Sequence, residues 1–347
     1  MQDYFSVRWK NGVVRMLDQR LLPGELKYYD FVKCTEVAMA IKQMVIRGAP
    51  AIGIAAGYGL ALAAVHSRAT QSNELIRELR RDADELWQSR PTAVNLFAAI
   101  NRILGLVVDN HDLGLEQIKS TVLSEADKIA NEDLQMNRKI GLNGQQFIPE
   151  EANIIHHCNT GALATGGYGT ALGVIRTAHE MGKKIHVYVD ETRPRLQGAR
   201  LTSWELKQLE IPHTVIVDGA SGYFMQHTKI NACLVGCDRI AANGDVANKI
   251  GTYNLALVAF AHGVPFYSVG PRTSIDLSVT RGDEIPIEER SAIEITHIGQ
   301  TQVTPDDVLV ANPAFDITPA KYISAIITDA GVAFPPYKKT LLELMSK

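Results

Sequence analysis

The sequence lacks a long uninterrupted apolar run, and it lacks an excess of charge of one sign. Its longest apolar stretch, Ala49 to Val65, is shorter than the roughly 20 residues that a membrane-spanning helix needs, and three glycines interrupt it. Basic and acidic residues nearly balance, giving a formal net charge of -3. No broad positive field is therefore available to hold nucleic acid or an anionic membrane. We expect neither as a partner, and we expect the apolar stretch to form a buried helix.

Cysteine is also scarce, with four residues at positions 34, 158, 233 and 237. Because nearly half of the chain is apolar and can bury a large core, disulfides are not needed, and we expect free thiols in a reducing compartment. Cys233 and Cys237 could form half of a zinc site, but no second pair follows, so we favour core positions and no metal. The amino end lacks the layout of a secretory signal, which favours a cytoplasmic location.

The first part of the chain predicts a small sheet followed by a helical bundle. The runs Val7 to Trp9 and Val13 to Leu17 flank Asn11-Gly12, and both turn residues tolerate positive φ, so we expect a tight hairpin. Amphipathic helical spacing then predominates. It covers Asn73 to Trp87, Thr92 to Val107 and Leu115 to Met136.

After Pro149 the pattern changes to short β-like runs separated by helical stretches. The runs are Asn153 to His157, Ile185 to Val189, Thr214 to Val217, Ala232 to Val235 and Pro265 to Val269. Such alternation predicts an α/β domain with a parallel sheet, in which ligands collect beyond the carboxyl ends of the strands. We place the boundary near residues 125 to 136, which gives an N-terminal domain of 1–128 and a C-terminal domain of 129–347.

Two candidate catalytic residues follow β-like runs. Cys158 stands between such a run and a glycine-containing segment, where backbone N–H groups would favour a thiolate, although an inert core thiol fits equally well. Asp238 comes just after Ala232 to Val235. Partial burial there would keep its carboxyl group protonated for donation near neutral pH. The alternative is a salt bridge to Arg239 or a cap on the next loop.

Several other residues suit phosphate binding. In Arg47-Gly48-Ala49-Pro50, glycine permits close backbone approach and arginine offers a planar fork for phosphate oxygens. Alternatively, Arg47 only compensates the negative end of the preceding helix. Arg90 also precedes a predicted helix.

Asn248-Lys249 precedes the predicted helix Thr252 to Ala261, where a bound phosphate would offset the unfavourable cation. The alternative is a solvated lysine with a cost of about 0.5 kcal/mol. The polar segment Asp190 to Arg200, which contains Gln197, follows another run, and we favour a functional loop over the alternative of an ordinary solvated loop. Gly166 to Gly169 lacks the spacing of a dinucleotide fingerprint, so we expect no nucleotide cofactor.

These motifs occur in the order of one known family. They are Arg47-Gly48-Ala49-Pro50, Arg90-Pro91-Thr92, His157-Cys158-Asn159-Thr160-Gly161, Glu191-Thr192-Arg193-Pro194, Asp238 to Asp245, Asn248 to Thr252 and Asn312 to Asp316. On these motifs, which span nearly the whole chain, the sequence closely resembles the methylthioribose-1-phosphate isomerase family.

The resemblance implies a Rossmann-like C-terminal domain, a homodimer, no cofactor and a sugar-phosphate substrate in methionine salvage. It implies that Asp238 is the proton donor and that Cys158 stabilises the transition state or exchanges a proton. The substrate-binding residues that it implies are Arg47, Gly48, Ala49, Arg90, Gln197, Asn248 and Lys249.

In an aldose 1-phosphate the anomeric oxygen carries phosphate, so the ring opens only when the ring oxygen gains a proton. The sequence is compatible with an enediol route, with Cys158 as base, and with a hydride shift beside Cys158. Two alternative functions stay open. One is an isomerase of ribose 1,5-bisphosphate or 5-deoxyribose 1-phosphate, and the other is a noncatalytic regulatory protein that binds a sugar phosphate or nucleotide.

Overall fold

The computed structural model describes residues 4–90 and 93–346. These residues form two compact units. One comprises residues 4–90, 93–136 and 161–169, and the other comprises 137–160 and 170–346. The chain passes from the first unit to the second within one long helix, and the segment 161–169 returns to the first unit.

The first unit opens with a three-stranded antiparallel sheet of β1 (Val7–Lys10), β2 (Val13–Leu17) and β3 (Tyr28–Phe31). Asn11 and Gly12 have φ of 49° and 83°, which confirms the predicted hairpin. The helices that follow are α1 (Cys34–Lys42), α2 (Ala49–His66), α3 (Ser72–Ser89), α4 (Val94–Asp109) and α5 (Leu115–Gln145). The predicted helix start at Thr92 lies outside the described residues.

α2 is the central helix of this unit. It is apolar on all sides because β1, β2, α1, α3 and α4 all pack against it. Among the described residues it is the one helix whose length and composition would suit a membrane span, yet 72% of it is buried inside the protein. We therefore assign it to the core, as the sequence predicts.

The second unit contains a seven-stranded sheet, parallel except at one edge, in the order β16-β15-β10-β7-β4-β5-β6. Its strands are β4 (Glu151–His156), β5 (Lys184–Asp190), β6 (His213–Ile216), β7 (Ala232–Val235), β10 (Phe266–Val269), β15 (Ala325–Thr328) and β16 (Gly331–Ala333). The helices of this unit are α6 (Ala171–Glu180), α7 (Ser203–Gln208), α8 (Ser221–His227), α9 (Thr252–Ala261), α10 (Ile293–Thr296) and α11 (Tyr337–Met345).

Separate cores cover the two faces of this sheet. Ile154 of β4 belongs to a core shared with α6 and α7, and its neighbour Ile155 belongs to a core shared with α9 and α11. This alternation follows from the period of two in a strand. The unit is therefore a three-layer α/β structure, which confirms the predicted fold class.

Several features were not predicted, among them the strands β15 and β16 of the large sheet. α5 continues nine residues beyond Met136, because Asn137 and Ile140 are buried and Gly144 packs tightly against Val174 of α6. A four-stranded sheet is formed by β8 (Arg239–Ala241), β9 (Val246–Lys249), β11 (Ile275–Asp276) and β14 (Phe315–Thr318), and β12 (His297–Ile298) pairs with β13 (Thr301–Gln302).

Candidate active site

The order of the strands creates a crevice between β4 and β7. From β4 the chain moves outward through β5 and β6, and it then returns to the other side of β4 to form β7. At such a switch point the connections leave the sheet in opposite directions, and ligands bind beyond the carboxyl ends of the two strands. β4 and β7 are parallel neighbours, with His156 opposite Leu234. Cys158 follows the first strand and Asp238 follows the second.

Cys158 is held in an unusual backbone conformation. Its φ is 69°, which few non-glycine residues adopt, and its exposed fraction is 5%. Two threonines fix this turn: the N–H of Cys158 donates to Thr192 Oγ1 at 2.9 Å, and Thr202 Oγ1 donates to the carbonyl oxygen of Cys158 at 2.7 Å. Strained residues that are held in this way are typical of functional sites.

The loop after β5 provides one of these threonines and is itself anchored. The N–H groups of Thr192 and Arg193 each donate to Asp218 at 2.7 Å. Gln197 is buried, and its Oε1 has no hydrogen-bond partner within the described part of the chain. A Cβ atom on Gly198 would lie 1.7 Å from the carbonyl oxygen of Asp190, so only glycine fits there. The sequence analysis did not predict that Asp218 anchors this loop, because the contact joins segments that are distant in the chain.

Asp238 departs from the expectation of partial burial, because its side chain is exposed. β7 ends at Val235, so the next two residues carry the chain beyond the sheet before Asp238. The N–H of Asp238 donates to the carbonyl oxygen of Ala247 at 2.9 Å, which holds this turn against β9. Arg239, the alternative ion-pair partner, lies 3.7 Å from Asp276.

Asn248 and Lys249 end β9 beside this crevice. Asn248 is buried, and its Nδ2 donates to Thr252 Oγ1 at 2.9 Å. Lys249 Nζ donates to the carbonyl oxygen of Ala314 at 2.7 Å and lies 4.5 Å from the centroid of the Phe315 ring. Lys249 is thus partly held by the segment that precedes β14.

The carboxylate of Asp316 caps the start of α9. Asp316 accepts the N–H of Gly251 at 2.7 Å and the N–H of Tyr253 at 3.1 Å. These two amides therefore already have a carboxylate partner, and phosphate binding at Asn248 and Lys249 stays a prediction. Asn312 to Asp316 is one of the motifs recognised in the sequence. Its position beside the start of α9 could not be predicted, because it depends on the pairing of β14 with β9.

Asp316 predicts a particular dependence of stability on pH. Burial raises its pKa from 3.8 to about 6, although the N–H groups of Gly251 and Tyr253 oppose the shift. The folded protein therefore binds this proton more tightly than the unfolded chain, so stability from this group is present at low pH and is lost as the pH rises from about 4 to 6. Over this window we expect the free energy of unfolding to fall by roughly 2 kcal/mol more in the wild type than in Asp316→Asn.

Urea unfolding of both proteins between pH 4 and 7 measures this difference. Parallel curves would show that Asp316 titrates alike in the folded and unfolded states.

His157, Asp190 and Asp218 bring three potential metal ligands within 4.8 Å of one another. Both ring nitrogens of His157 face acceptors, and Asp218 accepts two backbone N–H groups, whereas the buried Oδ1 of Asp190 has no hydrogen-bond partner among the described residues. We assign no metal to this cluster. Cys233 and Cys237 are free thiols, and burial raises the pKa of both, to about 12 for Cys237.

The remaining predicted site residues belong to the first unit. Gly48 begins α2 with φ of 95°, and a Cβ atom there would lie 2.5 Å from the carbonyl oxygen of Ala164. Ala164 of the segment 161–169 thus packs directly on Gly48, the residue between Arg47 and Ala49 in the chain. Arg90 ends α3, whereas Pro91 and Thr92 of its motif lie outside the described residues.

Gly53 of α2 packs against the carbonyl oxygen of Asn95 near the start of α4. The starts of α2 and α4 therefore lie at the same end of the helices. The structure thus gathers the predicted residues into two sets, one in each unit. Arg47, Gly48, Ala49 and Arg90 form the first, and Cys158, Gln197, Asp238, Asn248 and Lys249 form the second.

A doubly wound sheet with polar loops at its switch point defines a class of proteins that bind small ligands at that crevice. The initiation factor 2 subunit family matches residues 45–335. The chain is 55% identical over 344 residues to methylthioribose-1-phosphate isomerase 2 of Pseudothermotoga lettingae, covering 99% of both chains.

Two solved structures are also similar over the whole chain. One is 5-methylthioribose 1-phosphate isomerase from Pyrococcus horikoshii OT3, with a TM-score of 0.95, 48% identity and coverage of 99% of this chain and 96% of that one. The other is translation initiation factor eIF-2B, subunit delta, from A. fulgidus, with a TM-score of 0.91, 40% identity and coverage of 99% of both. The chain therefore belongs to the initiation factor 2 subunit family and, within it, to the methylthioribose-1-phosphate isomerase family.

Proposed function

We propose that this protein isomerises 5-methylthioribose 1-phosphate to 5-methylthioribulose 1-phosphate in methionine salvage. The observation that carries the proposal is the position of Cys158 and Asp238 after the neighbouring strands β4 and β7, at the switch point of a chain related over its full length to isomerases of that name. We propose that the enzyme is a homodimer, as the resemblance implies, and that it is cytoplasmic.

The phosphate group binds Arg47, the backbone at Gly48 and Ala49, and Arg90 in this proposal, and Lys249 is a substrate-binding residue of the second unit, as the resemblance implies. Gly48 supports it, because this glycine packs on Ala164, which follows Cys158 by six residues in the chain. A short segment therefore connects the thiol to the proposed phosphate site. Arginine suits this role because its planar fork binds two phosphate oxygens at once.

Asp238 donates a proton to the ring oxygen, and the sugar ring then opens. Since Asp238 is exposed, its proton is held near neutral pH only when the bound sugar excludes water from the carboxyl group. Cys158 lies beside the C1 and C2 atoms that rearrange, and its strained turn fixes the direction of the thiol. The unpartnered Oε1 of Gln197 accepts a sugar hydroxyl, which would satisfy this buried atom.

A second function is noncatalytic binding of a sugar phosphate or nucleotide, as the likeness to a structure titled eIF-2B, subunit delta, suggests. Binding alone requires neither a strained thiol nor a proton donor, so the retention of Cys158 and Asp238 favours catalysis.

Purified protein should be tested with 5-methylthioribose 1-phosphate, ribose 1,5-bisphosphate and 5-deoxyribose 1-phosphate, with formation of ketose as the measurement. We expect kcat/KM to be roughly 10- to 100-fold higher for the methylthio sugar, because its apolar end gains burial that the others lack. A higher kcat/KM for ribose 1,5-bisphosphate would assign that sugar as the substrate instead. Binding of all three without turnover would favour the noncatalytic function.

A further inference from the structure

His157 and Asp190 form a buried pair directly behind the proposed catalytic thiol. Each has an exposed fraction of 1%. His157 Nδ1 lies 2.9 Å from Asp190 Oδ2, and His157 Nε2 lies 2.8 Å from the carbonyl oxygen of Ile250. Both ring nitrogens therefore face oxygen atoms, and neither faces a backbone N–H.

This geometry requires two protons. The carbonyl of Ile250 only accepts, so Nε2 must carry a proton, and a second proton must lie between Nδ1 and Asp190. The pair is then neutral overall, either as imidazolium with carboxylate or as imidazole with carboxylic acid. Loss of one proton would place two lone pairs opposite each other in one of the two contacts.

The pair joins three segments of the site. His157 immediately precedes Cys158, and Asp190 begins the loop that contains Thr192 and Gln197. Ile250 lies between Lys249 and α9. The ring also packs closely on this turn, because a Cβ atom on Gly251 would lie 2.8 Å from His157 Cε1.

We propose that His157 and Asp190 are positioning residues that hold the loop bearing Gln197 and the turn after Lys249 in register with Cys158. The inference rests on the proposed function for its catalytic consequence. Neither residue need touch the substrate, because each acts through the backbone of a loop that does. A displacement of about 1 Å in such a loop can lower a rate by about 100-fold.

The charges around the pair are consistent with retention of the second proton. Although burial disfavours the cation, the bond to Asp190 raises the pKa of His157. Burial raises the pKa of Asp190 despite the opposing bond to His157. Other titratable groups that interact electrostatically with the pair are His156, Glu191, Asp218, Cys233 and Asp316.

Neighbouring His156 supplies a matched control. It is also fully buried in β4, but its Nδ1 lies 2.8 Å from the carbonyl oxygen of Leu234 within the sheet, and burial lowers its pKa to about 4. Substitution of His156 therefore costs a comparable buried hydrogen bond without releasing either loop.

The test compares His157→Gln, Asp190→Asn and His156→Gln by hydrogen exchange of peptides covering 191–197 and 249–254. In His157→Gln we expect exchange to be roughly 10-fold faster in both peptides, since glutamine cannot bond to Asp190 and Ile250 together. His156→Gln should leave both peptides near the wild-type rate. Equal exchange in the two histidine variants would overturn the proposal, and this measurement needs no turnover.

Kinetics supply the second readout. We expect kcat/KM to fall roughly 10- to 100-fold in His157→Gln. In Asp190→Asn the amide can donate to Nδ1 of a neutral imidazole, so both contacts persist without the second proton. This variant should keep turnover near neutral pH and should keep both peptides near the wild-type exchange rate.

Loss of turnover and faster exchange in Asp190→Asn, both as large as in His157→Gln, would contradict the proposed hydrogen bonds of the pair. If the wild-type protein turned over no sugar phosphate while the variants showed the predicted exchange pattern, the proposed function would be contradicted. The positioning role of His157 and Asp190 would still be supported.

Discussion

Replacement of Asp238 by asparagine is expected to lower kcat roughly 1,000-fold and to leave KM within about threefold of the wild-type value. The amide keeps the size of the carboxyl group but cannot donate an acidic proton to the ring oxygen. Because the phosphate is bound by other residues in the proposed complex, ground-state binding should persist. Steady-state kinetics with 5-methylthioribose 1-phosphate measure both constants.

Asp276→Asn is the matched control for charge in this region. Asp276 lies 3.7 Å from Arg239, the residue after Asp238, so this variant removes a neighbouring carboxylate outside the proposed proton path. We expect its kcat to stay close to the wild-type value. Near-normal kcat in Asp238→Asn would eliminate its role as donor, and a rise in KM without a fall in kcat would make it a binding residue.

The hairpin and five of the seven strands of the large sheet were predictable because their signals are local, whereas β15 and β16 were not predicted. Asn11-Gly12 specifies its turn, and Ala232 to Val235 is an apolar run that the structure reproduces as β7. The continuation of α5 to Gln145 was not predictable, because Asn137 and the polar residues after it become part of a helix face only when α6 packs there.

The site was predictable only in part. Polar residues after parallel strands are expected at one edge of the sheet, which places Cys158 and Asp238 correctly at strand ends. That their strands are neighbours depends on the strand order, which no local pattern specifies. The cap that Asp316 provides on α9 depends on a pairing between segments more than 60 residues apart. The exposure of Asp238 depends on where β7 ends.

Gly48→Ala should cause the second large loss of activity. At φ of 95° and ψ of 132°, a sparsely populated conformation, an alanine costs about 1 to 3 kcal/mol of stability. Its Cβ atom would also lie 2.5 Å from the carbonyl oxygen and 2.6 Å from the Cα atom of Ala164, so the segment 161–169 must move. Because this segment adjoins the proposed phosphate site and continues from Cys158, we expect kcat/KM to fall roughly 100-fold.

Gly12→Ala separates backbone strain from this displacement. Gly12 has a similar φ of 83°, yet a Cβ atom there would meet nothing within 4 Å. Both variants should therefore lose about 1 to 3 kcal/mol from a backbone with positive φ, whereas only Gly48→Ala should lose additional stability in urea and turnover. If kcat/KM fell equally in the two variants, the contact with Ala164 would have no special part in catalysis. A large decrease of kcat/KM confined to Gly48→Ala would show that phosphate binding at the start of α2 depends on the contact with the segment 161–169, which follows Cys158 in the chain.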